Sequence, residues 1–305
     1  MNDGFITVAR CWVCGSAELT PVHRAIFELA EYGRQDPQLA AYSGETVDIV
    51  ACRACGFAQP AALPALPHFF DRMYDTRWSD AWIEEEHRAV YKDAIFADIL
   101  RELGRRLPRD RRRLLDVGAH AGRFIAVARR AGWDAEGLEL NPKTAAFAAS
   151  ATGARVHQGN AHTFDAEGVY DAVTLTDVLE HIPDPRTVLR RVSRFVAPGG
   201  WIAVKVPNGP AQRIKERVRA MLRPAYRPTL ADNLVHVNHF SPASLRRALE
   251  AEGLTDVSVT AGAPELPAGA AARLIRRLAF IPARALPGAV HTPLALNLQA
   301  YARRL

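Results

Sequence analysis

The chain of 305 residues is 49% hydrophobic and 24% charged, with a formal net charge of +6 at pH 7. This is enough apolar material to bury a full core, and the length fits two units rather than one. No apolar run is long enough to cross a bilayer and no signal peptide is recognisable, so a soluble cytoplasmic protein without a transmembrane segment is expected.

All four cysteines lie in the first 55 residues, as Cys11-Trp12-Val13-Cys14-Gly15 and Cys52-Arg53-Ala54-Cys55-Gly56. Each Cys-x-x-Cys-Gly turn can aim two thiolates at one point, and two such turns complete a tetrahedral Zn²⁺ site with no position left for water. Such a site would be structural, with Cys11, Cys14, Cys52 and Cys55 as the metal ligands of a ribbon over residues 1–60. The pairs are further apart than the usual four-cysteine spacing, so residues 15–51 must form an excursion, with a helix expected near Ala25 to Tyr32. Free thiols or a redox pair are the alternatives, although paired cysteines in a cytosolic chain seldom form disulfides. Residues 61–110 follow as a linker: a proline-rich stretch from Pro60 to Pro67, then Phe69, Phe70, Tyr74, Trp78, Trp82 and Tyr91 on a mostly helical segment. Those aromatics either pack the connecting helix or cover a site. No internal repeat or low-complexity tract is apparent.

The most informative run is Leu114-Leu115-Asp116-Val117-Gly118-Ala119-His120-Ala121-Gly122-Arg123-Phe124. It reads as a central parallel strand turning through small residues into a helix whose amide-rich N-terminus faces a ligand, a geometry that suits a nucleoside cofactor. Gly137-Leu138-Glu139-Leu140 is a second strand ending in an acid, and Glu139 follows Asp116 by 23 positions, near the spacing at which a carboxylate meets ribose hydroxyls in doubly wound folds. A dinucleotide site is disfavoured because His120 stands where the middle glycine of its fingerprint belongs and the next glycine is out of step. The Asp-x-Gly-x-x-x-Gly form suits a cofactor carrying an amino acid, with backbone around Gly118 and Ala119 facing its ammonium and carboxylate.

With these motifs the chain resembles the class I S-adenosylmethionine-dependent methyltransferases, and the resemblance continues in order for more than a hundred residues. Gly159-Asn160-Ala161 matches the turn that brackets adenine, Tyr170 to Asp177 the fourth strand, and Val178-Leu179-Glu180-His181-Ile182-Pro183-Asp184-Pro185 the turn after it. Ala197 to Val204 resembles the fifth strand and Asn238-His239-Phe240-Ser241-Pro242 the entry to a late helix. The resemblance is to the ubiquinone-biosynthesis O-methyltransferase branch and its relatives, and the ribbon resembles a zinc-binding domain found ahead of sugar-modifying methyltransferases. The resemblance implies an α/β doubly wound, mostly parallel, Rossmann-like sheet. It also implies S-adenosylmethionine held by Asp116, Gly118, Ala119, Gly122, Glu139, Leu140, Asn160, Ala161 and Asp177, with the 61–110 segment over the mouth and Tyr74 or Trp78 near the methionine part. Asn160 departs from the acid that many members place there; an amide oxygen can accept from the adenine amino group too. Asp177, Glu180 and His181 match an acid-x-x-Glu-His pattern that the branch associates with a divalent metal.

Independently of any family, Asn141-Pro142, Asp184-Pro185 and Ser241-Pro242 each place a capping side chain before a proline at the first helical position. Apolar runs at Leu114–Val117, Ala172–Leu175 and Ile202–Val206 suit strands covered on both faces, giving one domain over residues 111–305. Basic residues concentrate twice. Arg213, Lys215, Arg217, Arg219, Arg223 and Arg227 lie in an insertion at about 209–237, where substrate caps usually sit, and Arg273, Arg276, Arg277, Arg284, Arg303 and Arg304 follow the last acid, Glu265. These are either solvated faces or a surface for a phosphate-bearing substrate such as a nucleotide-linked sugar, a phospholipid-linked glycan or RNA. The amphipathic stretch Ala271–Ile281 could also rest on a membrane surface.

Methyl transfer at a sulfonium needs alignment and, for a hydroxyl acceptor, removal of a proton. His181 is the first choice of base, with His239 and His236 next; each could instead orient its loop. The expectation is an O-methyltransferase acting on a sugar or other small biosynthetic intermediate. An RNA methyltransferase is the alternative, although the Asn/Asp-Pro-Pro-aromatic and Pro-Cys motifs of base methylation are absent. A non-catalytic cofactor-binding scaffold is a third reading.

Overall fold

The computed structural model describes residues 4–75, 79–223, 225, 236–266, 269, 274, 278, 280–281, 284–286, 288–292 and 294–305. Trp78, Arg227, Arg273, Arg276, Arg277 and most of the 271–281 stretch lie outside the described residues. Five strands and two short helices open the chain: β1 (Phe5–Thr7), β2 (Leu19–Ile26), α1 (Ala30–Gly33), α2 (Pro37–Ala40), β3 (Thr46–Cys52), β4 (Ala58–Pro60) and β5 (Ala62–Pro64). β2, β3 and β4 form an antiparallel sheet, and β1 pairs with β5. Two expectations are corrected here. Ala25 and Ile26 end a strand, because pairing of Ala25 with Val47 and an Arg24–Asp48 ion pair at 3.0 Å satisfy them across to β3, leaving only Ala30–Gly33 helical. The proline-rich stretch from Pro60 is likewise strand at Ala62–Pro64 rather than free linker.

Helices α3 (Phe69–Asp75), α4 (Asp80–Arg88) and α5 (Asp93–Arg106) follow as expected. The remaining elements alternate: β6 (Arg113–Val117), α6 (Arg123–Arg130), β7 (Asp134–Glu139), α7 (Pro142–Thr152), β8 (Val156–Gln158), β9 (Tyr170–Thr176), α8 (Pro185–Ser193), β10 (Val196–Pro207), α9 (Gly209–Leu222), α10 (Pro242–Glu250), β11 (Thr255–Ala261) and β12 (Asn297–Arg303). They build a seven-stranded sheet in the order β11-β12-β10-β9-β6-β7-β8, parallel from β10 to β8, with β12 antiparallel to both its neighbours. The fold is thus a doubly wound, mostly parallel α/β sheet.

Alternation along each strand divides the core into two layers. Leu114, Ala172 and Ala203 face Ile95, Ile99 and Leu103 of α5 and Phe124 and Ile125 of α6. Leu115, Val173 and Val204 face Val188 and Leu189 of α8 and Leu245 and Leu249 of α10. Each of these buried leucines contributes about 1.5–3 kcal/mol of burial, which is why the strand runs carry few polar residues. Of the three capping pairs, Asn141 accepts from Thr144 N at 3.0 Å and Ser241 forms a reciprocal box with Ser244. Asp184 does not cap the backbone of α8: at φ +49° its carboxylate instead accepts from the Thr187 hydroxyl at 2.8 Å. Among the described residues no helix is long and apolar enough to cross a membrane.

The N-terminal ribbon shares the second core layer. Cys11, Val13, Cys52, Cys55 and Phe57 pack in one cluster with Phe240, Leu245 and Leu249, and Ala58 forms a β-bridge to His239. Several arginines read as surface charge are tied into the fold. Arg284 pairs with Asp98 at 2.6 Å and Glu102 at 3.2 Å, Arg303 lies 3.6 Å from Asp256, and Arg304 donates to the carbonyls of Ser193, Arg194 and Val196.

Candidate functional site

Two constellations carry chemistry. In the ribbon, the Sγ atoms of Cys11, Cys14, Cys52 and Cys55 lie within 4.8 Å of one another, with Cys11 to Cys55 at 3.6 Å and Cys14 to Cys52 at 3.5 Å. A tetrahedral Zn²⁺ with bonds of about 2.3 Å has sulfur–sulfur edges of about 3.8 Å, whereas a disulfide needs about 2.05 Å. The four thiols therefore fit a metal and not a pair of bridges. The knuckles match atom for atom: Gly15 N donates to Cys11 O at 2.8 Å and Gly56 N to Cys52 O at 2.9 Å, with both glycines at positive φ. Buried Gln59 ties the first knuckle to β4, accepting from Trp12 N and donating to Arg10 O, both at 2.9 Å.

The second constellation lies at the carboxyl edge of β6, β7 and β9, around a cavity of about 260 Å³. Eight of the nine expected cofactor residues line it: Asp116, Gly118, Ala119, Glu139, Leu140, Asn160, Ala161 and Asp177. Gly122 is not among the lining residues. Its φ of +76° and a virtual Cβ 3.0 Å from Ala148 show that it lets α6 approach α7 rather than a ligand. At Gly118 a Cβ would meet Val178 at 2.5 Å, so the glycine fixes the close crossing of the two turns. The amides of Gly118 and Ala119 both donate to Leu138 O, at 2.8 and 3.0 Å, which removes them as partners for a ligand carboxylate.

Asp116 is buried and accepts from the Thr174 hydroxyl at 2.7 Å. Burial pushes its carboxyl up to about 7; the Thr174 bond opposes this and the neighbouring Glu139 charge adds to it. Glu139 is held rigidly: Oε2 accepts from His120 N at 2.7 Å and Oε1 from Asn141 N at 3.0 Å. His120 sits at φ +50° with its ring 5.0 Å from Trp82, and burial, helped by Lys92, lowers it to about 4, so it is neutral.

Asp177 lines the cavity as part of an ion-pair network. Its carboxylate bonds Lys92 at 2.9 Å and, very closely, the fully buried Lys205 of β10. Burial works against its charge, but the two ammonium groups outweigh it and hold Asp177 far below the usual carboxylate range. This corrects the expected second metal set. With Asp177 committed to lysines, the ligand atoms that converge, within 4.8 Å, are those of Glu180, His181 and His236. Neither buried carboxylate oxygen of Glu180 has a hydrogen-bond partner among the described residues, and burial together with Asp177 pushes its carboxyl well up. His236 lies with its ring 4.8 Å from His181, and burial, then His181, lowers it to about 3.

Of the three expected bases only His181 lines the cavity, where its ring meets Tyr74 edge-on at 5.8 Å. His236 stands behind it. His239 faces the ribbon instead, 3.3 Å from Gln212 and 6.5 Å, ring to ring, from His23, because its backbone is held by the bridge to Ala58. Phe70, Tyr74, Trp82 and Tyr91 line the cavity, while Phe69 packs on Phe27 and Tyr42 in the ribbon core. In the basic insertion Arg213 is half-buried, Lys215, Arg217 and Arg219 are exposed on α9, and Arg223 is exposed just past its end.

Residues 85–259, more than half of the chain, match the family described as a methyltransferase domain. The chain belongs to that family. Among its curated relatives, the ubiquinone biosynthesis O-methyltransferase of Bordetella avium is 35% identical over 104 residues, 32% of this chain and 43% of the relative. The protein of the same name from Thiobacillus denitrificans is 28% identical over 170 residues, 53% of this chain and 72% of the relative. This methyltransferase-family chain therefore spans less than half the length of the first of these. An S-adenosylmethionine-dependent methyltransferase from Thermotoga maritima shares the fold, with a TM-score of 0.50 and 14% identity over 74% of this chain and 97% of that one.

Four participants in this methyltransferase site escaped the sequence reading: Asp71, Lys92, Thr174 and Lys205. Lys205 left a signal, a lone cation inside the apolar run Ile202–Val206, where a charge persists only if paired. Lys92 and Asp71 left none, since their partners are 85 and 89 residues away.

Proposed function

We propose that the protein transfers the methyl group of S-adenosylmethionine to an oxygen of a small acceptor, a sugar, nucleotide-linked sugar or other small biosynthetic intermediate. The observation that carries this reading is Glu139: a buried carboxylate with both oxygens anchored on backbone amides, at the end of β7, beside buried Asp116 at the end of β6. That pair presents a rigid diol acceptor and an anionic seat for an ammonium within one cavity, the two polar ends of an adenosyl amino acid. The sulfonium, when bound, supplies the driving force as an activated methyl donor. The chain supplies the rest: Asp116 binds the ammonium, Glu139 orients the ribose, and Tyr74, Trp82 and Tyr91 shield the mouth from water.

His181 is the proposed proton acceptor for the acceptor hydroxyl, since it lines the cavity and His239 does not. The same residues allow a second arrangement: with the His181 lone pair committed to a divalent cation held also by Glu180 and His236, the cation, and not His181, would favour the ionised form of a hydroxyl bound beside it. The four ribbon cysteines would hold Zn²⁺ as a structural ion. O-methylation is favoured over other acceptors by the names of the relatives, and the aromatic enclosure favours a small acceptor over RNA.

Methyl-labelled S-adenosylmethionine supplied with an extract divided into saccharide, small-molecule, lipid and nucleic-acid pools tests the reading. Label in the saccharide or small-molecule pool, lost with Asp116→Ala, supports it. Nuclease-sensitive label replaces it with an RNA methyltransferase, and cofactor binding with no label in any pool replaces it with a non-catalytic scaffold.

A further inference from the structure

The Gly159-Asn160-Ala161 turn lacks the acid expected to accept from the adenine amino group, and the structure shows that Asn160 is not a simple substitute for it. Asn160 Oδ1 accepts from His162 N at 2.9 Å, and Nδ2 donates to Asp71 Oδ2 at 2.9 Å. These two contacts fix the orientation of the amide: a backbone N–H requires the oxygen opposite it, and a carboxylate requires the NH₂. The amide oxygen is thus already engaged by its own turn. What the amide does instead is hold a carboxylate from another part of the chain at the cavity, which Asp71 and Asn160 both line. Asp71 belongs to the first turn of α3, in the segment that precedes the parallel sheet. Among the described residues its other close polar neighbour is His68 Nδ1, 3.5 Å from the same Oδ2 atom, so Oδ1 is left for a ligand.

Building on the cofactor reading above, we infer that Asp71, delivered by α3 and positioned by Asn160, is the residue that accepts the adenine amino hydrogen. The acid has moved from the turn after β8 to the lid segment, and Asn160 has become the group that aims it. Two consequences separate this arrangement from a conventional one. The base is recognised only when α3 is docked, so adenine binding and lid placement are one event. Recognition also depends on the exocyclic amino group as a donor, because a carboxylate accepts hydrogen bonds and an amide or amine supplies them.

The test uses calorimetric binding of two ligands to the full chain: S-adenosylhomocysteine, and S-inosylhomocysteine, whose base carries a carbonyl in place of the amino group. Wild type is expected to prefer the adenosyl compound by about tenfold or more, the range of a hydrogen bond to a charged group. Asp71→Ala is expected to lose that preference while keeping its thermal midpoint, and Asp71→Asn to shift it toward the inosyl compound, since an amide can donate to the carbonyl. Asn160→Asp in the Asp71→Ala background is expected to restore it from the turn. A preference unchanged in both Asp71 variants, with the fold intact, overturns the assignment and leaves the cofactor reading standing. Failure of wild type to bind S-adenosylhomocysteine at all overturns the cofactor reading and this inference with it.

Discussion

The Ser241 hydroxyl donates to the Cys55 carbonyl at 3.0 Å, so the cap of α10 and the second cysteine knuckle are one hydrogen-bonded unit. The same joint carries the paired bonds Ala58 N to His239 O at 3.1 Å and His239 N to Ala58 O at 2.9 Å, and the Phe57–Phe240 ring contact at 4.9 Å. The ribbon is therefore a buttress for the loop that sets His236 behind His181 and Asn238 on the Leu179 and Ile182 carbonyls.

One bound zinc per chain is expected by metal analysis. Chelation, or Cys55→Ser, should lower the melting temperature and raise amide exchange in the peptide around Asn238–Ser241 before it does so in β6. Retained protection of the His239 amide in a zinc-free chain would show that the joint does not need the metal.

The proposed seat for an ammonium at Asp116 would link binding to pH. Its folded value of about 7 lies above the unfolded carboxyl value, so the folded chain holds a proton that the unfolded chain has lost. The resulting stability is complete below about pH 4 and disappears as pH rises through 7. An ammonium beside Asp116 favours the carboxylate, so binding releases that proton. S-adenosylhomocysteine affinity is expected to rise from about pH 5.5 to about 7.5, with proton release visible in calorimetry across buffers of different ionisation heat. Asp116→Asn should abolish both effects, and a flat affinity in wild type would refute the pairing.

Lys205 neutralises Asp177 from inside the sheet. Lys205→Met is expected to lower the unfolding free energy, by less than the roughly 3–5 kcal/mol of a carboxylate left with no partner, because Lys92 still pairs with Asp177. The cost should shrink in an Asp177→Asn background, a coupling that denaturant melts of the four proteins measure. Equal costs in both backgrounds would mean that Lys205 matters for packing alone.

Mn²⁺, followed by electron paramagnetic resonance, probes the Glu180–His181–His236 cluster without engaging the thiolate site. A single bound ion is expected, weakened at least tenfold by Glu180→Gln and by His236→Ala. No Mn²⁺ binding by wild type would assign the orphaned Glu180 oxygens a different partner.

Much of the fold was legible because it rests on local signals: β6 and β9 from apolar runs covered on both faces, α7 and α10 from an Asn-Pro and a Ser-Pro cap, the ribbon from two identical knuckles. The misreadings share one cause, long-range pairing. Ala25–Tyr32 has helical composition but is claimed at its start by β3, and His239 is drawn from the cavity by Ala58. At the site, Asp116 and Glu139 were readable because strand ends deliver them at fixed spacing. Asp71 and the Lys92–Asp177 pair were not, since only the docking of α3 and α5 on the sheet brings them in.

The position of β12 sets a limit on how this protein can be made. β12 lies between β10 and β11, and among the described residues β11 is joined to the sheet through β12. Forty-two residues separate Ala261 at the end of β11 from Arg303 at the end of β12. At a ribosomal pace of about 5–20 residues per second, β11 waits at least two seconds for the strand that docks it. During that interval the open flank of β10 is a hydrogen-bonding edge exposed to the cell. Among the described residues β12 is the last strand of this sheet to be made, so a nascent chain arrested before residue 297 carries the strand ends of β6, β7 and β9 on a platform still open at β10.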